Sequence, residues 1–191
     1  MMRSMGHKGS TPGASEDSCP CCGPMGALGR RQAFGLGGAL AATLWAGSPA
    51  RAASGNYEAM LVNCIDPRFA SPSSAYMAAR GLRGRFSQFV IAGGPIGAVH
   101  PRFAGWHETF WENLAVSVDL HRIQRVVALT HRDCGAAKLA FGDAAVAAPA
   151  AEQAAHHECL RQFAAEVRRR HPTLVVDAGL TAASGAVELV H

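Results

Sequence analysis

The stretch VVALTHRDCGAAKLAFG, residues 126–142, joins an apolar run to a histidine and, three positions later, a cysteine. The apolar run predicts a buried strand that ends at His131, and the Gly/Ala-rich residues that follow can begin a helix at Cys134. A His-x-x-Cys pair by itself fits either two metal ligands or a core imidazole beside a core thiol. The choice depends on whether the fold brings a third soft ligand close to His131 and Cys134.

Strand and helix patterns alternate on both sides of this stretch. Short apolar runs predict strands. Helices are predicted where apolar positions recur periodically or where Ser and Pro at the start and Gly at the end mark the boundaries. The predicted strands are 58–64, 85–94, 123–131, 173–179 and 186–190, the predicted helices are 71–84, 103–118 and 151–170, and 144–151 is predicted to be a loop. Such alternation predicts an α/β fold with a mainly parallel β-sheet flanked by helices.

The charge of the chain is concentrated near its N-terminus. The 191 residues carry a formal net charge of +4, of which +3 falls in residues 1–52. The remaining residues, 53–191, are therefore nearly neutral. The composition therefore gives no indication of a nucleic acid partner. The length fits one domain with its own core.

The first 52 residues have the order of parts found in an export signal. The pair Arg30 and Arg31 precedes an apolar stretch, 33–47, and SPARAA then offers small residues at Ala50 and Ala52. The paired arginines favour the twin-arginine route. The apolar stretch is too short and too rich in glycine to span a bilayer.

This interpretation divides the chain into two parts. Residues 1–52 are expected to be a twin-arginine signal peptide with a disordered N-region, and residues 53–191 a single α/β domain in the periplasm. An uncleaved N-terminal anchor or a disordered tail is the alternative for the first part. We expect no stable membrane span after cleavage.

The six cysteines divide in the same way. Three of them lie in the CPCC segment, residues 19–22, which is expected to be removed. Residues 53–191 keep Cys64, Cys134 and Cys159, an odd number, which argues against a disulfide framework in an oxidising compartment. Cys159 lies on the apolar stripe of a predicted helix, so core packing is expected for it.

Cys64 ends the first predicted strand, and His131 and Cys134 follow the third. Because the carboxyl ends of parallel strands meet at one edge of a sheet, these three side chains converge if the two strands are neighbours. Two thiolates and one imidazole suit zinc, and three protein ligands leave the fourth tetrahedral position open for water. Asp66 and Arg68 follow Cys64 closely, so that an arginine-held carboxylate is available to orient such a water.

These residues resemble the two motifs of the β-class carbonic anhydrases, Cys-x-Asp-x-Arg and His-x-x-Cys-Gly. The chain has CIDPR at 64–68 and HRDCG at 131–135, with 67 positions from Cys64 to His131. The likeness runs from about Glu58 to the end of the chain. Two departures are Pro67, where the family commonly has a small polar residue, and IAGGPIGAV at 91–99, where it usually has Arg-Asn-Ala-Gly-Asn.

The resemblance implies a β-carbonic-anhydrase-like fold and a set of roles for these residues. Cys64, His131 and Cys134 would be the zinc ligands, and Asp66 and Arg68 the catalytic pair. The implied reaction is the reversible hydration of carbon dioxide to bicarbonate, carried out by a metal-bound hydroxide. A homodimer or higher homo-oligomer is also implied.

Two other functions remain open at this point. A hydrolase for carbonyl sulfide or carbon disulfide could use the same scaffold, because the segment 91–99 changes one wall of the expected pocket. A non-catalytic zinc-binding or bicarbonate-sensing protein would use the metal only to stabilise its fold. We also expect Arg132 and Asp133 to be solvated loop residues, and His156 and His157 to lie on a helix surface.

Overall fold

The computed structural model describes residues 57–190. The expected export signal, the CPCC segment and the division at residue 52 lie outside the described residues, and they stay predictions.

A single five-stranded sheet forms the centre of the described part, with the strand order β2-β1-β3-β4-β5. The first four strands are parallel, and β5 is antiparallel to β4. The strands are β1 (Ala59–Asn63), β2 (Phe86–Val90), β3 (Arg125–His131), β4 (Val175–Thr181) and β5 (Val187–Val190). The mainly parallel α/β architecture is therefore confirmed.

The last strand runs antiparallel because its connection is short. Only residues 182–186 separate β4 from β5, and the turn closes through a hydrogen bond from the Ala182 N–H to the Ala186 carbonyl. Gly185 provides the positive φ of 87° that the turn requires. A parallel return would need a crossover of a dozen or more residues.

Six helices occur in the described part, and short 3-10 turns precede α1 and α3. Their bounds are α1 (Ala70–Ala79), α2 (Pro95–Val99), α3 (Ala104–His121), α4 (Gly135–Phe141), α5 (Asp143–Val146) and α6 (Pro149–Arg170). The loop predicted at 144–151 is thus wrong: α5 occupies its start, and α6 begins at Pro149. Proline suits this first helical position because no intrahelical partner exists there for the N–H that it lacks.

Helices cover both faces of the sheet. On one face, Phe110 of α3 and Phe163 of α6 pack over Val126 and its neighbours. On the other face, Met77 of α1 packs over Val127. Every residue of β1 is buried, which explains why the strand appears as a continuous apolar run rather than an alternating one.

The apolar stripe predicted on α3 is only partly correct. Phe110 and Leu114 are fully buried, but the Trp106 side chain is 39% exposed and stacks on Phe103 at the surface. None of the helices in residues 57–190 is long and apolar enough to cross a membrane.

Candidate metal centre

The structure brings Cys64, His131 and Cys134 together at the carboxyl end of the sheet. Cys64 follows β1, His131 ends β3, and these two strands are hydrogen-bonded neighbours. The sulfur and nitrogen atoms that the three side chains offer all lie within 4.8 Å of one another, and all three residues are buried. The chain leaves β1 toward one edge of the sheet and enters β3 on the other side, so the cluster lies where the strand order reverses.

A backbone reversal between His131 and Cys134 returns the second thiol to the cluster. Asp133 adopts a left-handed conformation with φ 54°, which aspartate tolerates better than most residues. Cys134 is then extended and immediately precedes α4. The two intervening residues therefore form a tight turn rather than a flexible loop.

The His131 ring is oriented by its contacts. Its Nδ1 atom lies 2.9 Å from the Arg132 carbonyl oxygen, and the ring stacks on Phe69 with 4.0 Å between centroids. A carbonyl can only accept, so Nδ1 carries the proton and Nε2 keeps its lone pair. Nε2 is buried and has no hydrogen-bond partner in the described residues. A buried lone pair without a partner, beside two sulfurs, is what a metal ligand requires.

Hydrogen bonds concentrate negative charge on the Cys64 sulfur. The hydrogen bond with the Cys134 side chain, together with backbone N–H groups, outweighs burial and lowers the pKa of Cys64 to about 4. One of these N–H groups belongs to Gly93, at 3.2 Å from the sulfur. The same interaction with Cys64, together with burial, raises the pKa of Cys134 above its ordinary value. Of the two sulfurs, Cys64 is therefore the one that more readily carries the negative charge.

The glycines of segment 91–99 allow the backbone to approach Cys64 closely. A Cβ atom on Gly94 would lie 2.9 Å from the Asn63 carbonyl carbon and 3.1 Å from the Cys64 nitrogen. Gly94 also has φ 55° and ψ −115°, a conformation that is essentially restricted to glycine. The departure from the family pattern in this segment therefore supplies the wall behind the cysteine.

Asp66 and Arg68 form an ion pair beside the cluster. Arg68 donates from Nη2 to Asp66 Oδ2 at 2.7 Å and from Nε to both carboxylate oxygens at 3.0 and 3.1 Å. These side-chain hydrogen bonds lower the pKa of Asp66 to about 2. Asp66 Oδ2 lies 3.9 Å from His131 Nε2, so the carboxylate faces the metal-binding atoms.

Pro67 fits this arrangement without loss of a hydrogen bond. It opens a 3-10 turn, Pro67–Phe69, for which Asp66 is the N-cap and accepts from the Arg68 N–H at 3.0 Å. A residue at the first position of such a turn has no intrahelical use for its N–H, so proline is well suited there.

Arg132 is only partly solvated, contrary to the prediction, whereas Asp133 is an exposed residue of the connection between β3 and α4, as predicted. Arg132 donates to the Pro149 carbonyl at 2.6 Å and to Glu152 Oε2 at 3.2 Å. The Asp133 side chain is 87% exposed, but it accepts from Arg68 Nη1 at 2.9 Å. Sequence patterns gave no sign of these contacts, because the partners of Arg132 lie on α6, 17 and 20 positions later, and Arg68 lies 65 positions from Asp133.

His156 is also misplaced by the prediction. It is fully buried on α6. Both ring nitrogens lack a hydrogen-bond partner in the described residues, and burial lowers the pKa of the side chain to about 4. His157 is half-buried beside Glu188, and Cys159 lies in the core, as its position on the helix stripe predicted.

An apolar cluster adjoins the two cysteine ligands. Ile96 of α2 and Ala137 of α4 are fully buried there, and Phe103, Ala136 and Cys159 are almost so. Two thiolates and one imidazole beside apolar side chains suit a soft or borderline cation such as zinc, with one coordination position left open. Within residues 57–190, this is the group of side chains whose spacing is compatible with metal binding.

Solved structures share this architecture. The β-carbonic anhydrase CafA of the fungal pathogen Aspergillus fumigatus aligns with a TM-score of 0.50 and 16% identity over 71% of this chain and 76% of that chain. A tetrameric β-carbonic anhydrase from the filamentous ascomycete Sordaria macrospora aligns with a TM-score of 0.50 and 9% identity over 71% and 81%. The described domain has a β-carbonic anhydrase fold. At these identities the likeness concerns the fold.

Sequence relatives of this β-carbonic-anhydrase-like chain carry no functional description. Two uncharacterized proteins, from Rickettsia conorii and Rickettsia bellii, are each 26% identical over 132 residues. The aligned region is 69% of this chain and 71% and 80% of those proteins. No protein-family model matches the chain.

Proposed function

We propose that the protein catalyses the zinc-dependent, reversible hydration of carbon dioxide to bicarbonate. The observation that carries this proposal is the convergence of Cys64, His131 and Cys134 with the Asp66 carboxylate facing them. The carbonic anhydrase fold of the domain supports the same reaction.

The three ligands would hold zinc in the manner of a catalytic site. Zinc bound by three protein ligands supplies a water whose pKa falls to about 7, so that a nucleophile exists at neutral pH. Both sulfurs must be thiolates to bind the ion, and the N–H of Gly93 already stabilises charge on Cys64. The Arg132 carbonyl fixes the His131 tautomer that leaves Nε2 available.

Asp66 and Arg68 would control the orientation of the nucleophile. An ionised carboxylate only accepts hydrogen bonds. Asp66 would therefore accept a hydrogen bond from the nucleophile, and the lone pair of the nucleophile would then point at the substrate. Arg68 holds both oxygens of Asp66 and keeps it ionised well below neutral pH. Carbon dioxide has no net dipole, and the buried side chains around Ile96 would give its binding site an apolar surrounding.

Self-association and export complete the proposal. Apolar side chains are exposed on α3 (Trp106, Val116 and Leu120) and on the edge strand β2 (Val90), which supports a homodimer or higher homo-oligomer. Sedimentation of the purified protein should give a mass at least twice that of its single chain. The arginine pair and apolar stretch of residues 30–47 support export to the periplasm by the twin-arginine route.

The test is a stopped-flow assay of carbon dioxide hydration with a pH indicator, combined with a measurement of zinc content. The proposal expects about one zinc per chain and hydration that a chelator abolishes. Stoichiometric zinc without hydration would reject it. Release of sulfide from carbonyl sulfide or carbon disulfide by the same sample would then identify the alternative hydrolase, and inactivity toward all three substrates would favour a binding role.

A further inference from the structure

We propose that Glu152, in the first turn of α6, is a positioning residue that fixes the two-residue linker between His131 and Cys134. Through this linker it orients both the His131 ring and the Asp66–Arg68 pair. The inference rests on the proposed zinc site, and it extends that site to a helix that contributes no ligand.

Glu152 is a buried carboxylate whose contacts are directed to the linker. Its side chain is 11% exposed. Oε1 accepts the Asp133 backbone N–H at 2.7 Å, and Oε2 accepts from Arg132 Nη1 at 3.2 Å. One carboxylate therefore binds both residues that separate the two ligands. Burying a charge is costly unless it is paired in this way, so the contacts are strongly favoured.

The first route of influence runs through Asp133. The Glu152 contact stabilises the N–H of a residue held in the left-handed conformation. In this position Asp133 presents both its carboxylate and its carbonyl to Arg68, at 2.9 and 3.1 Å. Arg68 is thereby clamped between Asp133 and Asp66. The direction of the Asp66 carboxylate depends on that clamp.

The second route runs through Arg132. Its side chain is fixed by three groups at the start of α6, namely the Pro149 carbonyl, Glu152 and Gln153 Oε1. Its carbonyl is the acceptor for His131 Nδ1. Because the Arg132 side chain is fixed, the Arg132 carbonyl is fixed as well. The carbonyl in turn sets the tautomer and the orientation of the His131 ring.

The helix that carries Glu152 is firmly placed. Leu160, Phe163 and Val167 of α6 are completely buried against the sheet. Groups mounted on a packed helix hold their geometry better than groups on loops. A carboxylate in the first turn also interacts favourably with the helix dipole, so Glu152 could alternatively serve only to stabilise α6. The two roles differ in what they predict for the metal centre.

The experiment compares Glu152→Ala and Glu152→Gln with Glu158→Ala in the full-length protein. Glu158 lies on the same helix and bonds only Arg161 and Gln162 at the surface, so it is the matched control. Zinc affinity is measured by chelator competition, the ligand geometry by the visible spectrum of the cobalt-substituted protein, and the fold by thermal melting.

We expect zinc affinity to fall about 10- to 100-fold in Glu152→Ala, with an altered cobalt spectrum. Glu152→Gln should be intermediate, because the amide oxygen can still accept the Asp133 N–H while the charge toward Arg132 is lost. Glu158→Ala should match the wild type in both measurements.

Zinc affinity and a cobalt spectrum that stay at the control values would overturn the proposal, even if Glu152→Ala melts at a lower temperature. If the alanine variant does not fold, the comparison of Glu152→Gln with Glu158→Gln decides in the same way. Neither readout uses catalysis. A protein that binds zinc through this linker but hydrates no carbon dioxide would therefore reject the proposed function and leave the role of Glu152 supported.

Discussion

At the scale of single residues, Asp66 is the side chain on which the proposed chemistry depends most directly. We expect Asp66→Asn to lower kcat/KM for carbon dioxide hydration about 100-fold, because the amide can donate a hydrogen bond and no longer enforces the orientation of the nucleophile. Zinc content should not change, since Asp66 is not among the three clustered ligands. Stopped-flow kinetics and metal analysis measure the two effects separately.

Asp143→Asn is the control for this change, because Asp143 is an exposed carboxylate that pairs with Lys138 away from the centre. It should retain wild-type hydration. If Asp66→Asn were as active as Asp143→Asn, the metal would serve a binding role rather than catalysis.

His156 should make the fold sensitive to acid. Its pKa is about 4 in the folded protein and near 6.5 when exposed, so between these values the unfolded chain binds a proton that the folded chain excludes. The contribution of His156 to the free energy of unfolding is then fully present above pH 6.5. It falls by about 1.4 kcal/mol per pH unit as the pH drops toward 4. In His156→Leu this contribution is absent, so the loss of stability in acid should be less steep.

Urea unfolding of both proteins at a series of pH values measures the difference. Both proteins carry the same cysteine and histidine cluster, so the difference between their pH profiles reports the effect of removing His156. Identical pH dependence in the two proteins would show that His156 takes up its proton without cost to the fold.

The sequence sufficed to predict the clustered residues because their chemistry and their strand ends point to the same place. Cys64 and His131 each follow a recognisable buried strand, and parallel strands bring their carboxyl ends together. The sequence did not suffice to predict that Glu152 and His156 are buried. Whether a polar residue on α6 is buried depends on how the helix lies over the sheet, and no local pattern encodes that.

At the scale of elements, the glycine turn between β2 and α2 decides how closely the backbone approaches the first cysteine. Gly94→Ala should destabilise the protein by about 1–3 kcal/mol more than Gly81→Ala and should weaken zinc binding. Both glycines have positive φ, but an added Cβ at Gly81 meets no heavy atom within 4 Å, whereas at Gly94 it meets the backbone before Cys64. The difference between the variants therefore reflects this close contact together with the unusual backbone conformation of Gly94.

Urea unfolding and zinc competition on the two variants test this prediction. Equal stability and equal zinc affinity would mean that the backbone before Cys64 can shift without moving the ligand.

The elements themselves were largely predictable, and their ends were not. All five strands were expected near their observed positions, since apolar runs bounded by polar residues and glycine are strong local signals. The segment 144–151 was mistaken for a loop because its Ala/Pro composition lacks apolar periodicity, although α5 and the start of α6 lie there. The antiparallel direction of β5 follows from the short connection after β4.

At the scale of the whole molecule, loss of the metal should expose the centre to oxidation. The Cys64 and Cys134 sulfurs lie within 4.8 Å of each other, so a small movement brings them to bonding distance once no ion separates them. Chelation in air should therefore yield a Cys64–Cys134 disulfide, with Cys159 left as a thiol in its buried position. Peptide mapping by mass spectrometry detects the crosslinked pair.

The zinc-loaded protein, exposed to air without the chelator, is the control and should give no crosslink. Chelated protein in which both peptides remain unlinked would indicate that the sulfurs are held apart by the fold itself.

The distance along the chain between the ligands also bears on how the protein assembles. Cys64 and His131 are 67 positions apart and meet only after β1 and β3 pair. This pairing requires the crossover through α1 to β2 and the longer crossover through α3 to be in place. Contacts of such sequence separation form late in folding, because the loop between them must first be closed. Tight zinc capture would then mark the pairing of β1 with β3, and truncated or stalled chains that lack β3 would be unable to compete with mature protein for the ion.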